Sequence, residues 1–385
     1  MNVVMNMISG AKGLTSLEGR IAVVDARHQI HTLHNVWWRD NCPCATCRHP
    51  LTRERLLFSA GIPADLRAVT ASRNDDGSLY VTWADREGPH ESRYSVAWLD
   101  EHGQDAFPAP LVPYGSTLWS AAEFELKRVP WRDLMQDDEA LLAWSDAMIA
   151  DGVAAITGTP GEHAEVERVA ERLAHVRETA YDRLHEVRSE PDPYNVANTD
   201  VELMTHTDMP NYAQPPGVQL LHFIENAATG GETTLADGFA VARDIAQDSP
   251  EAFKVLCETP VSFRMTSQKA DIVGTSRLVT LDSQGSIEMV RFSNQLMQPV
   301  RLPGSELTAF YDAYREYSRR MVSSDYVVRF RSEPGTVVTT HNHRVLHGRQ
   351  AFDAMSGPRH LQLSYLDFDD VLSRRRILLE GRKAG

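Results

Sequence analysis

Three of the four cysteines, Cys42, Cys44 and Cys47, fall within six residues of one another, while Cys257 stands far away. This is not a disulfide framework. A bridge needs well-separated α-carbons, whereas closely spaced thiolates converge on one tetrahedral ion, for which zinc is the natural candidate. The first constraint is therefore a small metal-stapled unit near the N-terminus. The segment from about Ile21 to about Trp98 reads as β-rich: Ser78-Leu79-Tyr80-Val81-Thr82-Trp83 alternates, and Asn74-Asp75-Asp76-Gly77 before it is a turn.

The chain of 385 residues can hold more than this unit, and its length suggests about two domains. Pro108, Pro110 and Pro113 mark a connection. We expect an N-terminal zinc-binding β-domain over residues 1–110 and a second domain over 111–385. No run of about 18 apolar residues occurs, and Met1 to Gly10 lacks the basic and apolar regions of a signal peptide. No membrane partner and a cytoplasmic location are expected. A formal charge of −14 opposes binding of a polyanion, so nucleic acid is excluded as a partner and small molecules are favoured. Arg39, Arg48, Arg53 and Arg55 cluster near the cysteines and read as a solvated or interdomain face rather than a nucleic-acid site.

In the second domain Asp137 and Asp138 can cap a helix whose apolar stripe is Leu141, Trp144 and Met148, with Gly152 after its end. Val153-Ala154-Ala155-Ile156 then reads as a buried strand. Further helices are expected from Glu162 to about His175 and from Leu307 to Met321, with strands around 215–240, 287–294, 335–341 and 359–367. The expected class is mainly β with flanking helices.

His206 and Asp208 are two apart in Met204-Thr205-His206-Thr207-Asp208, so in extended chain both point to one face. With a second histidine they would form the two-histidine, one-carboxylate triad of a non-haem iron(II), which leaves open positions for a co-substrate and dioxygen. His341, His343 and His347 are the candidates. In Arg359-His360-Leu361-Gln362-Leu363-Ser364-Tyr365 the arginine shares a face with Leu361, Leu363 and Tyr365. An arginine on an apolar face requires a buried partner, and the distal carboxylate of 2-oxoglutarate suits a planar guanidinium.

Longer stretches carry a resemblance. Val345-Leu346-His347-Gly348-Arg349 with Arg359 resembles the distal half of the taurine dioxygenase superfamily. His206-Thr207-Asp208-Met209-Pro210, Pro215-Pro216-Gly217-Val218-Gln219-Leu220-Leu221-His222, Thr229-Gly230-Gly231 and Asp237-Gly238-Phe239 resemble the γ-butyrobetaine dioxygenase family. Arg39-Asp40-Asn41-Cys42-Pro43-Cys44-Ala45-Thr46-Cys47 is similar to that family's zinc knuckle. The resemblance implies a double-stranded β-helix (jelly roll) beside a small β-rich zinc domain, usually as a homodimer. It implies His347 as the third iron ligand and His90 as the fourth ligand of a structural zinc. Arg359, Thr233, Leu221 and Asn195 would line the 2-oxoglutarate site.

The implied activity is an Fe(II)- and 2-oxoglutarate-dependent hydroxylation that consumes dioxygen and releases succinate and carbon dioxide, with ascorbate as activator. By the same match Tyr181, His185, Asn198, Asn294 and Tyr365 would contact a zwitterionic substrate. His185 stands where the family has Trp or Phe, and Asn198 where it has Tyr. γ-Butyrobetaine leads the expected substrates, followed by 2-(trimethylammonio)ethylphosphonate or 2-aminoethylphosphonate, then trimethyllysine. A non-catalytic jelly-roll binding protein would explain the strands but not the triad with Arg359.

Overall fold

The computed structural model describes residues 14–17, 19–24, 30–102, 110–113, 115–188, 196–267 and 269–384. They fall into two compact units, Met1–Phe107 and Pro108–Gly385. In the first, strands Leu14–Leu17, Arg20–Val24 and Ile30–His34 form one antiparallel sheet, and Ala68–Arg73, Leu79–Asp85 and Gly88–Tyr94 form another. Leu79, Val81 and Trp83 turn inward at every second position, as the alternation requires. They pack with Trp38, Ile62, Leu66 and Tyr94 into one small core. The buried Trp83 donates its indole N–H to Ser92 Oγ at 2.9 Å, so its own donor is paired.

In the second unit the chain alternates between two sheets. The larger runs His185–Arg188, Arg359–Leu366, Val218–Asn226, Thr336–His341, Val153–Thr157 and Arg128–Pro130, and Val176–Arg177 adds to the second of these. The smaller runs Leu203–His206, Val345–Arg349, Thr233–Asp237 and Val327–Phe330. Val153, Phe223, Val338, Leu361 and Leu363 from the first meet Leu235, Val328 and Val345 from the second in one core. This is a jelly roll in the double-stranded β-helix sense. Its outer faces are covered by helices. Leu141, Trp144, Met148, Val166, Val169 and Leu173 bury Val218, Leu220 and Val337 on one side. Val241, Ile245, Leu256, Phe310 and Tyr317 pack on the other with Val290 and Leu346.

The helix expected after Asp137 spans Asp138–Ala150, with Asp137 accepting the N–H of Glu139. The next begins at Glu165, three residues after the expected Glu162, because Ala164 before it is left-handed at φ 64°. The third begins early, at Gly304. Helices Gly238–Asp248, Pro250–Glu258 and Phe368–Ala384 were not expected, although Asp237 caps the first of these and Pro250 opens the second. Asp237 also pairs with the fully buried Arg344 at 2.9 Å, and Arg344 donates further to the Ala150 and Thr117 carbonyls. A buried pair in which all three guanidinium nitrogens find acceptors pins the chain there.

Candidate active site

Strand Leu203–His206 pairs antiparallel with Val345–Arg349, and the register sets His206 opposite His347. Their rings lie 4.5 Å apart. Gly348 lets the strands close up, because a β-carbon there would stand 2.6 Å from the Leu203 carbonyl oxygen. Asp208 follows just beyond the strand. His206 Nε2 is 3.4 Å from Asp208 Oδ1, and His347 Nε2 is 3.6 Å from Oδ2. All three ligand atoms lie within 4.8 Å of one another. His206 donates its Nδ1–H to the Met204 carbonyl at 2.9 Å, which leaves the Nε2 lone pair facing Asp208.

Electrostatics favour a cation here. Burial alone would raise the Asp208 carboxyl, but nearby His347 and His206 and the Tyr365 hydroxyl hold it well below the usual carboxylate range. Burial pushes His347 down to about 4, so its imidazole is neutral near pH 7. Tyr365 donates to Asp208 Oδ2 at 2.7 Å. Gln219 donates to the same oxygen, and its amide nitrogen lies 2.9 Å from His347 Nε2. Sequence reasoning missed Gln219, although it shares a strand face with Leu221. Two imidazoles and an ionised carboxylate fit a divalent iron with one side open.

His341 and His343 serve elsewhere. His341 stacks on Phe368 with centroids 3.8 Å apart, and His343 donates to the Pro215 carbonyl at 2.9 Å.

The three groups open on a cavity of about 250 Å³. Arg359, Leu361, Leu363 and Tyr365 all line it, as do Leu221 and Thr233. The Arg359 Nε is buried without a partner among the described residues. Burial lowers its guanidinium to about 9, and Arg349 and Arg331 add to the effect. Arg331 and Arg349 already donate to backbone carbonyls. A half-buried guanidinium with its Nε sealed off and unpaired among the described residues calls for an anion, and the terminal carboxylate of 2-oxoglutarate would supply one. Arg359→Leu is expected to raise the KM for 2-oxoglutarate roughly 100-fold, from about 2–4 kcal/mol of lost pairing, while moving the substrate KM far less. Initial-rate kinetics with each compound varied check this. Asn195, assigned beside Arg359, lies outside the described residues.

Toward the remaining wall the rings of Tyr181 and His185 lie 4.6 Å apart, and burial lowers the His185 imidazole below its usual range. Two of the expected substrate residues make other contacts in this structure. Asn198 does not line the cavity: its amide donates to the Arg188 carbonyl at 3.1 Å, and Val196 and Ala197 of the same short turn face the space instead. Asn294 is exposed and accepts from the Tyr314 hydroxyl at 3.2 Å, while Ser293 and Gln295 line the wall. The tight turn there alternates which side chains point inward. Tyr365 contributes a ring edge, but its hydroxyl is committed to Asp208.

In the first unit Cys42, Cys44 and Cys47 stand 3.3, 3.7 and 3.6 Å from His90 Nε2. The edges of a tetrahedron with Zn–S of about 2.3 Å and Zn–N of about 2.0–2.1 Å are similar. Four protein ligands leave no open position, so such a site is structural. Arg39 donates to Cys47 Sγ at 3.1 Å and is fixed by Asp85 at 2.7 Å.

Two family models match: "Taurine catabolism dioxygenase TauD, TfdA family" over residues 109–365 and "Gamma-butyrobetaine hydroxylase-like, N-terminal" over 14–100. The chain is 35% identical to γ-butyrobetaine dioxygenase of Pseudomonas sp. (strain AK-1), covering 97% of each chain. It is 31% identical to the human γ-butyrobetaine dioxygenase over 89% of this chain and 90% of that one. Human mitochondrial trimethyllysine dioxygenase is 28% identical, over 89% of this chain and 82% of its own length.

Proposed function

Because this chain belongs to the γ-butyrobetaine dioxygenase family of 2-oxoglutarate-dependent dioxygenases, we propose that it hydroxylates a small ammonium zwitterion of the γ-butyrobetaine type, forming L-carnitine with succinate and carbon dioxide as co-products. The carrying observation is the likeness to a γ-butyrobetaine dioxygenase along 97% of the chain. Bound iron(II), with 2-oxoglutarate and dioxygen, supplies the oxidising power for inserting oxygen into a C–H bond.

The residues divide the remaining work. His206, Asp208 and His347 hold the iron from one side, with Tyr365 and Gln219 fixing the carboxylate. Arg359 would hold the distal carboxylate of 2-oxoglutarate, with Thr233 and Leu221 on the wall of the same cavity. Tyr181 and neutral His185 offer ring faces to the ammonium group, at about 0.5–2 kcal/mol per ring. With Asn198 withdrawn, Val187, Val196 and Ala197 supply apolar wall. That lining suits N-methyl groups better than a primary amine. Cys42, Cys44, Cys47 and His90 hold a structural zinc. The proposal extends to a cytoplasmic homodimer activated by ascorbate.

One observation supports a second reading. The Ser293 hydroxyl donates to Gln295 Oε1, which leaves the Gln295 amide N–H groups as neutral donors for the substrate's anionic end, and such donors serve a phosphonate as well as a carboxylate. This keeps 2-(trimethylammonio)ethylphosphonate ahead of 2-aminoethylphosphonate. The test is succinate formation by anaerobically iron-loaded protein given 2-oxoglutarate, ascorbate and air, with each of these compounds, γ-butyrobetaine and trimethyllysine in parallel. Highest substrate-dependent succinate is expected with γ-butyrobetaine. Turnover with a phosphonate alone would establish the second reading, and turnover with 2-aminoethylphosphonate alone would overturn the apolar-wall argument.

A further inference from the structure

We infer that Asn342 is a positioning residue for Asp208, holding it by hydrogen bonds that replace a strand ladder; this rests on reading Asp208 as an iron ligand. Asp208 lies beyond strand Leu203–His206, where regular pairing with Val345–Arg349 has ended. The next residue, Met209, is left-handed at φ 52°, a conformation that side-chain-bearing residues adopt only when their surroundings hold them there. Met209 is also buried on the cavity wall. Without an external clamp, this backbone would relax and take the carboxylate with it.

Asn342, 1% exposed in the turn between strands Thr336–His341 and Val345–Arg349, supplies the clamp. Its Oδ1 accepts the backbone N–H of Asp208 at 2.7 Å, and its Nδ2 donates to the carbonyl of the same residue at 3.0 Å. The side-chain amide thus pairs with Asp208 as a neighbouring peptide unit would. Its second Nδ2–H goes to the Pro216 carbonyl at 2.9 Å, and its own backbone N–H to Gly217 at 2.9 Å. One acceptor faces an N–H and two donors face carbonyls, so the amide can sit only one way round. Aspartate, of nearly the same volume, would set an oxygen against two carbonyl oxygens. The adjacent His343 anchors the same turn through Pro215 without touching Asp208, which makes it the natural control.

The experiment uses the full zinc-loaded chain and Mn(II) as a probe of the triad. Free Mn(II) is followed by electron paramagnetic resonance for wild type, Asn342→Ala, Asn342→Asp, His343→Gln and Asp208→Ala. Succinate and hydroxylated γ-butyrobetaine are counted for the iron forms of the Asn342 variants. Changes one shell out from a ligand typically cost 10–100-fold in metal affinity. We expect a loss in that range for both Asn342 variants, with succinate in excess of hydroxylated product, and a change within roughly 3-fold for His343→Gln. If Asn342→Ala does not fold, the volume-conserving Asn342→Asp carries the test. Wild-type Mn(II) affinity in the folded Asn342 variants, or an equal loss in His343→Gln, overturns the inference while leaving the triad intact. Wild-type affinity in Asp208→Ala overturns the triad, and the inference with it.

Discussion

Asp208→Ala lowers substrate-dependent succinate formation by roughly 10³-fold or more, beyond the 10–100-fold typical of changes one shell out from a metal ligand. The carboxylate bridges the space between His206 Nε2 and His347 Nε2, at 3.4 and 3.6 Å, and no other carboxylate joins that cluster among the described residues. Alanine leaves two imidazoles, which hold iron(II) weakly, and frees Gln219 and Tyr365 to reorganise. The two sheets do not depend on this side chain, so circular dichroism and zinc content should match wild type. Succinate assays with saturating γ-butyrobetaine and 2-oxoglutarate, at iron concentrations up to the millimolar range, separate weak binding from lost chemistry.

Cys47→Ala removes a buried member of the Cys42, Cys44, Cys47 and His90 cluster proposed to hold zinc, and its expected effect is the unfolding of the first unit. The core of that unit is small, built on Trp38, Trp83 and Tyr94 with a few aliphatic residues. Small units depend on staples. Structural zinc contributes about 10–16 kcal/mol of binding free energy in peptide systems, and losing even a third of that exceeds what a marginal unit can spare. The change also removes one acceptor from the buried Arg39 guanidinium, which among the described residues keeps only its pairing with Asp85. Zinc content should fall well below stoichiometric, and limited proteolysis should cut first within the matched segment 14–100. Wild-type zinc content and protease resistance in this variant would contradict the structural role.

What was legible in the sequence was local. His206 and Asp208 at a spacing of two, the capped stripe of Leu141, Trp144 and Met148, and the alternation from Arg359 to Tyr365 are each decided by backbone periodicity within a few residues. All four inward positions of that last strand reach the cavity wall. The choice among His341, His343 and His347 was not local. It depends on which residue falls opposite His206 across an antiparallel pair some 140 positions distant, and the register supplies that. For Asn294 and Asn198 a match by position does not fix which way a side chain turns in a tight loop; here they bond to the Tyr314 hydroxyl and the Arg188 carbonyl. Gln219 and Asn342 escaped notice because their contacts with Asp208 are made by the folded sheets rather than by spacing within one strand, and amides carry no charge to flag them.

The most direct test of the central claim is an anaerobic titration of the iron(II)-loaded protein with 2-oxoglutarate, followed by the visible charge-transfer absorption that an α-keto acid develops on chelating iron(II). The account predicts a saturable band in wild type, no band in Asp208→Ala at the same iron concentration, and a midpoint shifted roughly 100-fold upward in Arg359→Leu. An unchanged band in Asp208→Ala, or an unshifted midpoint in Arg359→Leu, would contradict it.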